Sequence, residues 1–462
     1  MNMLRIIFAL CYIGTFVPCS ALAQNDTLRT YVEKPDDSYA WTLVDTKQVG
    51  AAEIAEIVLT SQTWRRKLWK HLLFVIKPPQ VATDGQAILV IGGGRWRDAI
   101  ENRLADAKLP DEAEMFAALA ERMQTIVIVV AQVPFQPLFH RREDELIAYT
   151  FDKYLRRQNA EWPLLLPMVK ATVRAMDAGQ AAAAQIWNVG IERYTVAGGS
   201  KRGWTAWLTA AVDERVTAIA PLVFDALNMA AHFPHQTEVW GAPSASIKPY
   251  TDRNLHNVLS TDEGRTLREI VDPFAYLDAL RLPKLIVNAT NDEFFPVDSV
   301  NLYWRSLEGP RYALYLPNSH HSSDELGRVF ATLNILNRAA AGLASMPSLD
   351  WHFADGSDGV SLCVRADPAP SAVALWTATS TDRDFRDEEW RATALPSSGS
   401  TYQRVIERPA SGYIAFYAEL SFGTGEDAFS LTTTPAVAGR TPDGIDVWSA
   451  VDEGNACGSI AE

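Results

Sequence analysis

The residues with chemistry to offer gather around Ser200. It lies in YTVAGGSKRGWTAW, Tyr194 to Trp207, between a β-branched run and a helix-friendly run, with glycines on both sides. A serine at such a junction has the outline of a nucleophile elbow. The strained strand-to-helix turn lifts the hydroxyl out of a sheet, and small residues flank it because side chains would clash there. The G-x-S-x-G form is broken in one place. Arg202 stands where the second glycine belongs, and Gly203 follows one residue late. The plain alternative is a serine in an ordinary tight turn.

A serine nucleophile needs a base, and the base needs a carboxylate to orient it. Downstream, the apolar strand KLIVNA runs into TNDEFFP, which places Asp292 just past a strand end. The strand YALYLPN then leads to Ser319-His320-His321-Ser322. The order serine, acid, histidine, each after its own strand, is that of α/β-hydrolases. Laying PNSHHS on the phrase P-N-x-G-H puts His320 at the glycine and His321 at the base. The backbone N–H of Lys201 is one expected oxyanion donor. The Gly92-Gly93-Gly94 run after the strand AILVI offers the second, from Gly93 or Gly94, because glycine lets a backbone N–H approach closely.

Other residues invite weaker readings. Trp204, Asp225 and His320 are candidate substrate contacts. Asp225 follows the strand after the elbow and either meets a substrate amine or a cation, or caps a turn. His320 either points outward or shapes the pocket. Glu143, Asp144 and Glu145 read as a solvated helix start, with one of them contacting substrate as the alternative. His232-x-x-His235 with Glu238 is too loosely spaced, and too close to prolines, for a metal site. No cofactor is expected.

These residues need a scaffold. Seven apolar runs alternate with amphipathic segments: His71–Ile76, Ala87–Ile91, Thr125–Val130, Tyr194–Ala197, Val216–Val223, Lys284–Ala289 and Tyr312–Leu316. Runs without period-2 alternation read as strands buried on both faces of a parallel sheet. Asp111–Met123, Trp204–Val212 and Asp324–Ala341 read as helices between them. The expected fold is therefore α/β, a doubly wound, mostly parallel sheet of the α/β-hydrolase type with long cap insertions. After Met346, short alternating runs separated by DGSDG, PSSGS and GTGED predict a small C-terminal β-sandwich. The expected division is a signal peptide over 1–23, a hydrolase-like domain over 24–345 with a cap insertion at 225–280, a sandwich over 346–440 and a tail over 441–462.

Bulk properties narrow the function classes. The chain has 462 residues, 48% hydrophobic and 21% charged, with a formal net charge of −14. No basic surplus exists to neutralise phosphates, which argues against a nucleic-acid partner. The opening MNMLRIIFALCYIGTFVPCSALAQ has one charge, an apolar run and an Ala21-Leu22-Ala23 cleavage site, so export to the periplasm or beyond is expected. No later segment reads as a membrane span. Cys363 and Cys457 are the only cysteines outside the leader, and export permits a disulfide between them. The expected partner is a small-molecule ester or peptide substrate.

The chain resembles the PhoPQ-activated pathogenicity-related protein family. The resemblance rests on SKRGWTAWLTA at Ser200–Ala210, FDALN at Phe224–Asn228, REDELIAYT at Arg142–Thr150, NDEFFPVDS at Asn291–Ser299 and LPNSHH at Leu316–His321. The DFR and GYIAFYAEL phrases of the C-terminal part add to it. It implies a secreted α/β-hydrolase of the prolyl-oligopeptidase-like kind with a C-terminal β-sandwich, and it implies no particular substrate. It also makes Arg202 a habit of the family. Two functions stay open: a serine hydrolase acting on an ester or peptide bond, and a secreted binding or signalling protein on the same fold.

Overall fold

The computed structural model describes residues 26–103, 107–322, 325–356 and 359–454. The expected signal peptide, with Cys11 and Cys19, and Cys457 lie outside the described residues.

The core is one twisted sheet. Its first strands are β1 (Ala40–Val49), β2 (Ala52–Trp64), β3 (Lys67–Lys77), β4 (Gly85–Ile91) and β5 (Ile126–Val130). They are followed by β6 (Ile191–Gly199), β7 (Val216–Leu222), β8 (Lys284–Ala289) and β9 (Arg311–Leu316). The spatial order is β1-β2-β3-β5-β4-β6-β7-β8-β9. From β5 to β9 neighbouring strands run parallel, while β1, β2 and β3 are antiparallel to their neighbours. The serine, acid and histidine follow β6, β8 and β9. This is the expected α/β-hydrolase fold. β5 and β8 are buried along their whole length, as a sheet covered on both faces requires.

Two antiparallel strands, β1 and β2, were not foreseen from the sequence. β2 carries Glu56 in an otherwise apolar stretch. That carboxylate is fully buried and is answered by Arg103, and by Lys47 of β1 at 3.4 Å. A buried charge that is paired is compatible with a central strand, although it breaks the hydrophobic pattern.

Residues 348–449 form two sheets. β10 (Ser348–Gly356), β11 (Gly359–Asp367), β14 (Ser397–Ser398) and β15 (Thr401–Ile406) make one of them. β12 (Ala372–Ser380), β13 (Arg391–Ala394), β16 (Gly412–Phe422), β17 (Phe429–Thr432), β18 (Ala436–Arg440) and β19 (Asp446–Ser449) make the other. The second is continuous with the central sheet, because β17 lies antiparallel to β9 through Thr432 and Ala313. The two sheets pack through aromatics: Phe353 meets Phe416 at 5.7 Å and Trp448 at 6.5 Å between ring centroids. Cys363 is buried on β11 and is disulfide-bonded.

Between β7 and β8 lie the helix Met229–Trp240 and several shorter turns of helix up to Ala279. They cover the C-terminal ends of the parallel strands, where open α/β sheets carry their sites. No helix among the described residues is long and apolar enough to cross a membrane.

Candidate active site

β6 ends at Gly199 and the helix Lys201–Ala210 begins two residues later. Ser200 makes the turn at φ 55°, ψ −126°, a backbone region costly for a residue with a side chain. Two bonds hold it there. Its N–H donates to the Leu222 carbonyl at 2.8 Å, and its own carbonyl accepts from Trp204 N at 3.0 Å. A Cβ at Gly198 would come within 2.7 Å of the Arg202 carbonyl oxygen. One at Gly203 would come within 2.9 Å of the Gly198 oxygen. The late glycine thus sits where the helix backbone presses on the strand end. Arg202 turns away from this contact: its Nε donates to the Val133 carbonyl at 2.7 Å and its Nη2 reaches Glu143 at 2.8 Å.

His321 Nε2 lies 2.8 Å from Ser200 Oγ. On the other side of the ring, Nδ1 lies 2.8 and 3.0 Å from the two oxygens of Asp292. Asp292 also accepts from Phe294 N at 2.7 Å. Burial pushes its carboxyl up from the ordinary value, against the lowering effect of His321. The Phe294 ring lies 4.1 Å from the His321 ring between centroids and the backbone N–H of His321 donates to Glu293 at 3.0 Å, so the imidazole is held from both sides. His320 does not share the site. Its side chain is half exposed, and its Nδ1 meets the Asn291 carbonyl at 3.2 Å.

The cavity beside Ser200 is walled by Phe151, Trp204, Phe224, Met229, Phe233 and Phe295, among others. Within this wall Trp204 is stacked on Phe224 at 5.0 Å between ring centroids. His232 of the cap helix also lines the wall. Burial holds its imidazole down at about 3, and its Nδ1 has no hydrogen-bond partner. His235 and Glu238 point elsewhere, to Asp298 and Arg383.

Asp225 is a correction. Its neighbours Phe224 and Ala226 face the cavity, whereas its own side chain turns into the core beneath and accepts from Tyr303 Oη at 2.5 Å. Burial pushes this carboxyl up to about 7.

Gly93 and Gly94 are not among the residues that line the cavity beside Ser200. They line a second cavity, of about 450 Å³, together with Leu72, Phe74 and Phe116. Gly93 backs onto Arg202, where a Cβ would lie 2.7 Å from Nη2. Lys201 is the first residue of its helix, so its N–H has no acceptor within the helix.

Glu145 is exposed at the helix start as expected, but Glu143 and Asp144 are engaged by other residues. Glu143 bridges Arg202 at 2.8 Å and Lys201 at 3.1 Å, and Asp144 takes Lys201 at 3.0 Å and Tyr250 Oη at 3.0 Å. Burial pushes the Glu143 carboxyl up, but Arg202, Lys201 and Gln136 outweigh it and hold the group at about 2. Asp144 and Lys201 both reach the cavity wall. Their charges cancel there. An acid in the first turn of a helix gives no sign in sequence that its partner is the residue after the serine.

The chain is 29% identical over 472 residues, 93% of each chain, to autocrine proliferation repressor protein A of Dictyostelium discoideum. Among solved structures it is similar to an acetyl xylan esterase from Paenibacillus sp. R4, with a TM-score of 0.43, 16% identity, and 67% of this chain and 92% of that one covered. A glucuronoyl esterase from Solibacter usitatus gives a TM-score of 0.39 at 13% identity, with 69% and 92% covered. The family model for the PhoPQ-activated pathogenicity-related proteins matches residues 28–386, and the chain belongs to that family.

Proposed function

We propose that this protein is an exported serine hydrolase that cleaves an ester or a peptide bond. One observation carries the reading: a single imidazole, that of His321, lies within hydrogen-bond reach of both Ser200 Oγ and the Asp292 carboxylate. Ser200 attacks the substrate carbonyl as His321 Nε2 takes its proton. The carbonyl oxygen gains charge and is met by the N–H of Lys201, with Gly93 or Gly94 as candidate second donors. His321 then gives the proton to the leaving group, and water repeats the sequence to release the acid. Asp292 fixes the tautomer with the proton on Nδ1 and stabilises the imidazolium as it forms.

The pocket argues for a small, uncharged group beside the scissile carbonyl. Its volume is about 60 Å³, its wall is mainly aromatic, and its one carboxylate is matched by one ammonium. A charged group would lose its water without gaining a partner. A fluorophosphonate probe tests the reading. It should label the wild type and leave Ser200→Ala unlabelled while the variant keeps its circular dichroism and melting temperature. A folded wild type that takes no label would overturn it.

A second reading is supported by the name of the Dictyostelium relative: a secreted signalling or binding protein on the same fold. A signalling assay in which Ser200→Ala retains full effect would favour it.

A further inference from the structure

The DFR phrase, Asp384-Phe385-Arg386, lies about ninety residues beyond Asp292 in the chain, in the loop between β12 and β13. In space it touches the loops that carry the acid and the base. Asn291 Nδ2 reaches the carbonyls of Phe385, Arg386 and Glu388 at 3.2, 3.0 and 2.8 Å. Asn318, three residues before His321, pairs with Trp390 in both directions. Its Nδ2 donates to the Trp390 carbonyl at 3.0 Å, and its Oδ1 accepts from Trp390 N at 2.8 Å.

The two loops are also tied to each other. Asn318 N donates to Thr290 Oγ1 at 2.9 Å, and Asn291 N to the Ser319 carbonyl at 3.1 Å. The same segment grips the cap. Arg383 pairs with Asp298 at 2.9 Å and Glu238 at 3.1 Å, and the Arg386 guanidinium lies 4.1 Å from the centroid of Trp240. Asp298 in turn holds His235 at 2.8 Å. Glu238, Trp240 and His235 all belong to the helix that puts Met229, His232 and Phe233 into the wall of the Ser200 pocket.

We propose that residues 383–390 are a positioning element of the active site, and that Asn291 and Asn318 are the positioning residues through which it sets Asp292 and His321 against each other. The proposal rests on the serine-hydrolase reading. Its physical basis is the placement of the contacts. Asn291 immediately precedes the acid, and Asn318 starts the turn into the base at φ 53°, a conformation asparagine tolerates better than most residues. The partners on the segment are backbone groups, whose positions are set by the strands on either side and by Trp390, packed against Phe385 and Tyr417. Misplacement by about 1 Å costs on the order of a hundredfold in rate, so a fixed backbone is a better reference than a mobile side chain.

The test is the second-order rate of fluorophosphonate labelling across pH, on the full-length chain, for Asn291→Ala and Asn318→Ala. The milder Asn291→Ser and Asn318→Ser replace either one that does not fold. Phe422→Leu, in β16 and away from these contacts, serves as a control for general loss of stability. The expected result is a fall of about tenfold to a hundredfold in labelling rate. The pH midpoint should also move down, because an imidazole less well aligned with Asp292 is a weaker base. The control should lose melting temperature without either change. A labelling rate and midpoint equal to wild type would overturn the proposal, as would losses that merely follow melting temperature in all variants. A wild type that takes no label would overturn the hydrolase reading itself, and this proposal with it.

Discussion

The Arg202 guanidinium and the Glu143 carboxylate meet at 2.8 Å. The residue that interrupts the glycine pattern of the elbow is therefore the one that fastens the elbow to the helix after β5. Glu143 is itself held at φ 49°, with Gln136 answering both its N–H and its carboxylate.

That contact makes an acid-sensitive latch. The Glu143 carboxyl sits at about 2, below its ordinary value, so the folded state binds its proton less readily than the unfolded one. Its stabilisation is present above the ordinary carboxylate range and is lost as pH falls towards 2. Glu143→Gln should flatten the decline of melting temperature between pH 5 and pH 2.5 and slow labelling of Ser200 at neutral pH. An acid limb identical to wild type would show that the latch contributes nothing.

Asp225 gives the opposite slope. Its folded value, raised to about 7 by burial, means that the folded state holds the proton more tightly. Stability falls as pH rises from about 4 to about 7. Asp225→Asn removes the ionisation and should gain on wild type over that range, by on the order of a few kcal/mol. Urea melts at pH 5 and pH 8 read the difference directly, and a gap that does not widen with pH would refute the assignment.

His321→Ala should reduce turnover or labelling by at least about a thousandfold. His320→Ala should stay within a few fold of wild type, because its ring is half exposed and faces the Asn291 carbonyl. The reverse ordering would transfer the role of base to His320.

The cavity sets a limit on size. With p-nitrophenyl esters of increasing acyl length, two- to four-carbon acids should be cleaved faster than eight-carbon acids by about tenfold or more. His232→Leu removes a buried imidazole whose Nδ1 has no partner, and should stabilise the fold by about 1 kcal/mol. A preference for long chains would place the acyl group in the larger cavity beside Gly93 and Gly94.

Cys363 is expected to be bonded to Cys457, which pins the tail to β11. A mass spectrum of the non-reduced protein showing two free thiols would refute the pairing.

The parallel part of the sheet is legible in the sequence because β4 to β9 are apolar nearly throughout, and Ser200, Asp292 and His321 each follow one of those runs. β1 and β2 are not legible. Glu56 interrupts the pattern of β2, and only the fold supplies the Arg103 and Lys47 that make it tolerable. The turn of Asp225 away from the cavity and into the core is a matter of backbone direction after β7, which residue type does not report. Asn291 and Asn318 were visible inside the NDEFF and LPNSHH phrases, but their partners are backbone carbonyls and an N–H, which have no sequence signature. Glu143 and Asp144 read as ordinary charges at a helix start, where acids are favoured by the helix dipole in any case.

The pairing of β17 with β9 has a consequence for assembly. Thr432 Oγ1 accepts from Tyr315 N at 3.1 Å, so the last parallel strand is already occupied on its outer side. A second copy cannot extend the sheet from that strand. Among the described residues, the ends of the sheet path are β1 and β13. On β13 every residue is exposed and Arg391 puts a charge to solvent, a feature that discourages edge-to-edge growth. The C-terminal part of the chain thus stands where a second copy would have to pair with β9.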